Sequence, residues 1–409
     1  MIRRFVFPLL LICAALPALA GETGTFTFAQ GIRDLLMSTP LDDFFATVGW
    51  RPVLMLAIGF LMLYLGVAKN IEPLLMLPIG FGTIFVNTVG AGMAAGDGFI
   101  GILFNTLVHT DLLPIFVFMG IGAMSDFSPL IANPRLFFIG AAAQLGVFGT
   151  LFAVVGVSEW MGYELNIREA ASIAIIGAAD GPTAILFSRR YAPDLMGAIA
   201  VAAYSYMALV PIIQPPVMRL LTTQRERRIH MPPLRSVKRV ELLLFPVAVT
   251  AICAFFLPLA MPLIGSLMFG NFIRECGVAE RISKALQNEV SNVATILLGL
   301  GVALKMEASV FLTQLTLAIF ALGLLAFVFG TVGGILAAKV MNWFSPHSPV
   351  NPLIGSAGVS AFPMAARVSH HMGQEADPNN YLIFHAIATN LAGQIGAVVA
   401  AGALFALLG

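Results

Sequence analysis

Charge is what this sequence is short of. Only 11% of its residues are charged, while 59% are hydrophobic; a soluble domain carries about 25% charged residues. The formal net charge is +1, so no global basic surface is on offer to nucleic acid. Cysteine is nearly absent. Cys13, Cys253 and Cys276 are far apart and lie in or beside apolar runs, which excludes a disulfide framework and a metal-type spacing. The six histidines do not repair this. His370 and His371 are adjacent, so on a helix they point in different directions, and they read as flanking a membrane segment.

What is present is length and apolarity. The mean hydropathy is +0.92. A chain of 409 residues has room for roughly ten spans of about 20 residues. The expected class is an all-α polytopic membrane protein with roughly ten spans or re-entrant segments. Residues 1–20 read as a targeting segment: Arg3 and Arg4 precede an apolar run, and Ala18-Leu19-Ala20 fits a small-x-small cleavage site. An uncleaved N-terminal anchor is the alternative. Residues 25–48 are too polar to span and predict an interfacial amphipathic helix.

Asp180 stands in Ile176-Gly-Ala-Ala-Asp-Gly-Pro-Thr-Ala-Ile185, inside a segment long and apolar enough to cross a bilayer. A carboxylate at that depth is costly unless it meets a cation, a proton or water. Pro182, Gly177 and Gly181 interrupt the helix at the same place. Broken backbone survives there only when buried in protein or lining a cavity. An acid beside loosened backbone at mid-membrane is how ion-coupled transporters build a cation site.

The basic residues cluster once. Residues 222–240 and the adjoining Arg219 form the strongly basic loop, which the positive-inside rule assigns to the cytoplasm. A polybasic lipid switch is the rarer alternative. The loop separates two halves, 50–221 and 241–409, that resemble one another. Pro73–Gly82 resembles Pro262–Asn271, Gly120–Met124 recurs as Gly299–Ala303, and Ile176–Ala184 has a counterpart in Ile354–Ala361. Two interrupted segments at matching positions predict two inverted-topology repeats, each with a broken membrane helix. The second break spans Asn351–Arg367. The stretch Leu267–Cys276 is read as interrupted, and Leu242–Ile264 as one helix.

Sodium is a hard cation and wants several oxygens, as other hard cations do. The first break offers Asp180 and Thr183, and the following helix Tyr204, Ser205 and Tyr206. The second break offers Asn351, Ser356 and Ser360. Asn390 and Gln394 share one face of the last helix. One acid among neutral oxygens suits a monovalent ion and is short of the carboxylates of a calcium cage. Asp180 can also take a proton, so one site can exchange sodium for a proton. Bland alternatives stand beside each residue. Asp180 can be a structural hydrogen-bond acceptor, Ser356 and Ser360 small packing positions, Tyr204 and Tyr206 interfacial belt residues, and Asn390 helix–helix glue. Arg367 can snorkel to the interface, or bind an anionic substrate with a fork that matches a carboxylate.

At these residues the sequence resembles the beta subunit of the sodium-translocating biotin-dependent decarboxylases, which serve oxaloacetate, methylmalonyl-CoA, glutaconyl-CoA and malonate decarboxylase systems. The resemblance runs from about Val53 to the C-terminus. It is carried by Glu72–Gly82, Gly177–Ala184, Tyr204–Pro211 and above all Asn351-Pro-Leu-Ile-Gly-Ser-Ala-Gly-Val-Ser-Ala-Phe-Pro-Met-Ala-Ala-Arg-Val-Ser369. It implies a multi-pass subunit of the cell inner membrane that decarboxylates carboxybiotin and couples this to sodium export, with consumption of a proton. It implies that Asp180 alternates between sodium and proton, that Tyr206 and, less directly, Tyr204 line the ion path, and that Ser360 and Asn390 join the sodium site. Arg367, with Asn351 in the same run, would serve carboxybiotin. Ala388-Thr389 stand before Asn390 where the family carries Gly-Pro. No biotinyl-lysine motif occurs, so carboxybiotin would arrive on a biotin carrier or carboxyltransferase alpha subunit. A small membrane gamma or delta subunit and a homo-oligomer are the other implied partners. The competing reading is a sodium-coupled secondary transporter without chemistry; a passive channel fits paired broken helices poorly.

Overall fold

The computed structural model describes residues 50–68, 73–161, 165–361 and 363–409. The expected targeting segment and interfacial helix lie outside the described residues. Two units divide the chain, Met1–Leu54 and Met55–Gly409. Of the first, the described part is the opening turn of helix α1 (Trp50–Ala68). The rest concerns the second unit.

Every regular element among the described residues is helical. Helix α2 is Pro73–Asn87, with Pro78 inside it. At 15 residues it is about 22 Å long, short of the ~30 Å hydrocarbon core. Helix α3 (Phe99–Leu103) continues as a π turn, and α4 is Leu112–Met124. Helices α5 (Leu136–Ala142) and α6 (Leu145–Met161) follow. Then come α7 (Ile167–Ala174), α8 (Gly181–Tyr191) and α9 (Met196–Leu221). The second half holds α10 (Arg239–Phe256), α11 (Met261–Glu275), α12 (Ser291–Val302) and α13 (Gln314–Phe344). Helices α14 (Met364–Ala376) and α15 (Ile383–Leu408) close the chain. Among the described residues, six helices are long and apolar enough to cross a membrane, or eight if two pairs bent by 65° each count as one.

Two expectations need correction. The stretch Leu267–Cys276 is not interrupted: it belongs to the continuous helix α11. The break lies earlier, at Leu257, where Leu242–Ile264 was expected to run on. Pro258 drives Leu257 out of the helical region, to φ −138° and ψ 64°. Pro262 then sits in the first turn of α11, where its missing N–H costs nothing.

The helices form two packed groups. In one, α2 lies on α12 and α4 on α11. Small residues set these contacts, as they do where lipid removes the hydrophobic drive between helices. Asn87, closing α2, donates to the Met306 carbonyl just past α12 (2.9 Å). Asn271, late in α11, donates to the Ser125 carbonyl just past α4 (2.9 Å). In the other group, α6, α9, α13 and α15 surround the two broken segments.

Candidate functional site

Each broken segment shows how its sequence stops a helix. Helix α7 begins with a capping box on Asn166 and Glu169, tightens into a 3-10 turn at Ile175–Ala178, and ends at Ala179. Ala179 is left-handed, with φ 51°. That conformation costs a residue with a Cβ about 1 kcal/mol or more, and such strain gathers at functional sites. Asp180 is extended, and α8 restarts at Gly181 with Pro182 in its first turn. Gly181 is required by close approach: a Cβ there would lie 2.0 Å from the Tyr204 ring. The second break is a 3-10 stretch, Pro352–Gly358, capped by Asn351. It runs extended at Val359 and re-enters helix at α14. Gly355 meets the backbone of Gly334 on α13, with space for no side chain.

The breaks meet. The Ser360 amide donates to the Ala178 carbonyl (3.2 Å), two residues before Asp180. The Ser360 hydroxyl donates to the Gly393 carbonyl of α15 (3.2 Å). One turn from there, the Asn390 amide donates to the carbonyls of Ala357 (2.9 Å) and Val359 (2.8 Å). Asn390 thus holds the second break open.

Asp180 is 7% exposed. The Thr183 hydroxyl donates to its carboxylate at 2.5 Å. None of the ion pairs among the described residues involves it. A buried ion left without a fixed partner costs several kcal/mol, a cost that either a proton or a bound cation removes. Three amide oxygens on or against α15 are also unsatisfied. The side-chain oxygens of Asn390, Gln394 and Gln144 are buried and have no hydrogen-bond partner in the protein. Such orphans are rare and call for an ion or water. Carboxylate, hydroxyl and amide oxygens are hard donors, the kind that suits sodium.

Not every expected residue gathers here. Tyr204 lies over Gly181, on the acid's own segment. The Tyr206 hydroxyl instead donates to the Phe320 carbonyl of α13. The Asn351 amide donates to the Arg227 and Ile229 carbonyls (both 2.9 Å), fixing the basic loop. Ser356 is internally bonded, to Leu353 (2.8 Å) and Ser369 (2.8 Å). Arg367 is exposed on α14 and lines a cleft with α9.

Two residues escaped the sequence reading. Gln144 donates to the same Gly393 carbonyl as Ser360 (3.2 Å). Gln214 donates to the Ser356 carbonyl (2.8 Å) and Thr331 (3.3 Å). Each was visible as a lone amide in an apolar run, the signal that had flagged Asn390 and Gln394.

A family model described as the Na+-transporting oxaloacetate decarboxylase beta subunit matches residues 51–408. The chain belongs to that family. Among relatives of the decarboxylase beta subunits, it is 44% identical to the oxaloacetate decarboxylase beta chain of Klebsiella pneumoniae over 412 residues, covering 87% of this chain and 95% of the relative. It is 47% identical to the glutaconyl-CoA decarboxylase subunit beta of Acidaminococcus fermentans, with 91% and 98% covered. With the methylmalonyl-CoA decarboxylase subunit beta of Propionigenium modestum the identity is 46%, with 93% and 100% covered. As a member of this sodium-transporting family, the chain is a membrane subunit of a decarboxylase.

Proposed function

We propose that this subunit decarboxylates carboxybiotin presented by a partner and uses the free energy to export sodium, consuming a proton. The observation that carries the reading is Asp180: a buried carboxylate with no basic partner among the described residues, at the crossing of two broken helices. Sodium, as cargo, takes Asp180, Thr183, Ser360 and Asn390 as its ligands, with Tyr204 flanking and Tyr206 on the path. Protonation of Asp180 neutralises the site and expels the ion. Arg367, with Asn351 shaping the same run, serves the carboxylate of carboxybiotin, whose loss as carbon dioxide drives the step.

Two inverted repeats, 50–221 and 241–409, are part of the proposal. The reciprocal packing of α2 on α12 and α4 on α11 supports them, as does the matching use of Asn87 and Asn271. With the basic loop in the cytoplasm, the first break enters from and returns to the outer face, and the second does so on the inner face. Counting the short helices, this gives roughly ten spans or re-entrant segments. The partners are a biotin carrier or carboxyltransferase alpha subunit, a small gamma or delta subunit, and further copies of this chain.

The test is reconstitution in liposomes with purified partner subunits, following sodium-22 uptake and carbon dioxide release together. Tight coupling of the two is expected. Sodium movement with a solute and without carbon dioxide release would overturn the proposal in favour of secondary transport.

A further inference from the structure

The cleft between α9 and α14 encloses about 660 Å³, a small-molecule volume. Pro211, Pro215, Val368 and Met372 give it apolar walls, Arg219, Arg367 and Glu375 supply its charge, and His371 lies among them. Arg367, His371 and Glu375 recur every fourth residue on one face of α14. Arg367 and Glu375 are therefore about 12 Å apart along the helix. Pro211, Pro215 and Arg219 repeat that spacing on α9. The Glu375 end is at the basic loop, since Arg228 donates to the Ala376 carbonyl (3.1 Å) and His230 meets Asp377 (2.9 Å). Glu375 marks the basic-loop end of the cleft, and Arg367, also exposed, lies further along α14 from that loop.

At the basic-loop end, Glu375 uses both carboxylate oxygens. One accepts from the Arg219 guanidinium at 3.0 Å, and the other lies 3.3 Å from His371 Nδ1. The Arg219 and Glu375 side chains are 56% and 42% exposed, and ion pairs that wet are loosely held. Two arginines against one carboxylate leave one positive charge, the complement of one substrate carboxylate.

We propose that Glu375 is a built-in stand-in for the substrate's carboxylate: it occupies Arg219 in the empty cleft, and an arriving N-carboxylate displaces it there before passing along α14 to Arg367. This rests on the function proposed above and adds Arg219 to it as a docking and specificity-determining residue. Biotin without its carboxylate carries no charge with which to displace Glu375. This end of the cleft therefore admits the carboxylated form and closes behind the product, without any covalent step at Arg219 or Glu375.

The experiment uses the full chain in liposomes with N-carboxybiotin whose valeryl carboxyl is blocked as an amide, recording KM and kcat at saturating sodium. Arg219→Ala should raise KM about tenfold with little change in kcat, the loss of one charge-assisted contact. Arg219→Lys should retain most of the affinity. Glu375→Gln should lower KM, by roughly threefold or more, because Arg219 is then free. In the Arg219→Ala/Glu375→Gln double variant the second change should add nothing to the first. Thermal unfolding midpoints check that each variant folds. If Glu375→Gln raises KM as Arg219→Ala does, the pair is only a structural tie and the inference falls. If Arg367→Ala impairs turnover while Arg219 and Glu375 variants do not, this inference alone falls. If Arg367→Ala is also silent, the function assigned to the cleft falls with it.

Discussion

The backbone amide of Ser360 donates to the carbonyl of Ala178 across 3.2 Å, joining residues 182 positions apart (360 − 178) in the two interrupted helices. The backbones of the two breaks thereby touch, two residues from the acid of the first half. Any movement of one break must be felt by the other.

Asp180→Asn keeps the size of the side chain and removes its charge. Sodium-dependent decarboxylation is expected to fall at least about a hundredfold, ~2.7 kcal/mol in the barrier. The check is sodium-22 uptake and carbon dioxide release in liposomes, with circular dichroism showing retained helix. Full activity in this variant removes the scheme.

In the proposed scheme sodium and a proton compete for the Asp180 carboxylate. The protonated form has no charge for the ion, so the sodium concentration for half-maximal rate should rise as pH falls and reach a constant low value as pH rises. Rate measurements at several pH values test the sign. A sodium requirement independent of pH would contradict exchange at Asp180.

Gly181→Ala drives a Cβ to within 2.0 Å of the Tyr204 ring. Overpacking of this kind costs about 1–3 kcal/mol, so the unfolding midpoint in detergent should drop and sodium affinity should weaken. Adding Tyr204→Ala removes the clash. The double variant should then be no less stable than Tyr204→Ala alone, which thermal scans can read directly.

Gln144→Leu tests a residue the sequence reading passed over. The change leaves the Gly393 carbonyl with Ser360 as its side-chain donor and deletes one orphan amide oxygen. Loss of a contact to the carbonyl that Ser360 shares predicts sodium binding weaker by about tenfold through the position of Ser360, with folding retained. An unchanged sodium requirement would confine Gln144 to packing.

Arg367→Ala separates the two chemistries. The carboxybiotin step should weaken by about tenfold to a hundredfold, while sodium binding, followed by protection against thermal unfolding, stays as in the parent. A loss confined to sodium affinity would strip Arg367 of its substrate role.

Much of this was legible because membranes restrict what a sequence can mean. In a long apolar run a carboxylate, a proline and flanking glycines stand out, and the penalty for breaking a helix in lipid makes them informative. The helix bounds at Leu112–Met124 and the two breaks follow from such local rules. The expected interruption at Leu267–Cys276 failed for a local reason too. Glycine at 270 does not stop a helix; it lets α11 approach the Met119 carbonyl of α4.

The sequence by itself determined the class of the protein, its two interruptions and the acid at the first, because hydrophobic length, proline and buried charge act within a few residues. Only the tertiary structure decided what packs against the two breaks. It laid Tyr204 rather than Tyr206 over Gly181, aimed Gln144 at the carbonyl Ser360 uses, and set Glu375 against Arg219. Those choices depend on how helices from opposite halves cross and rotate, and periodicity along one helix carries no information about its neighbour's position.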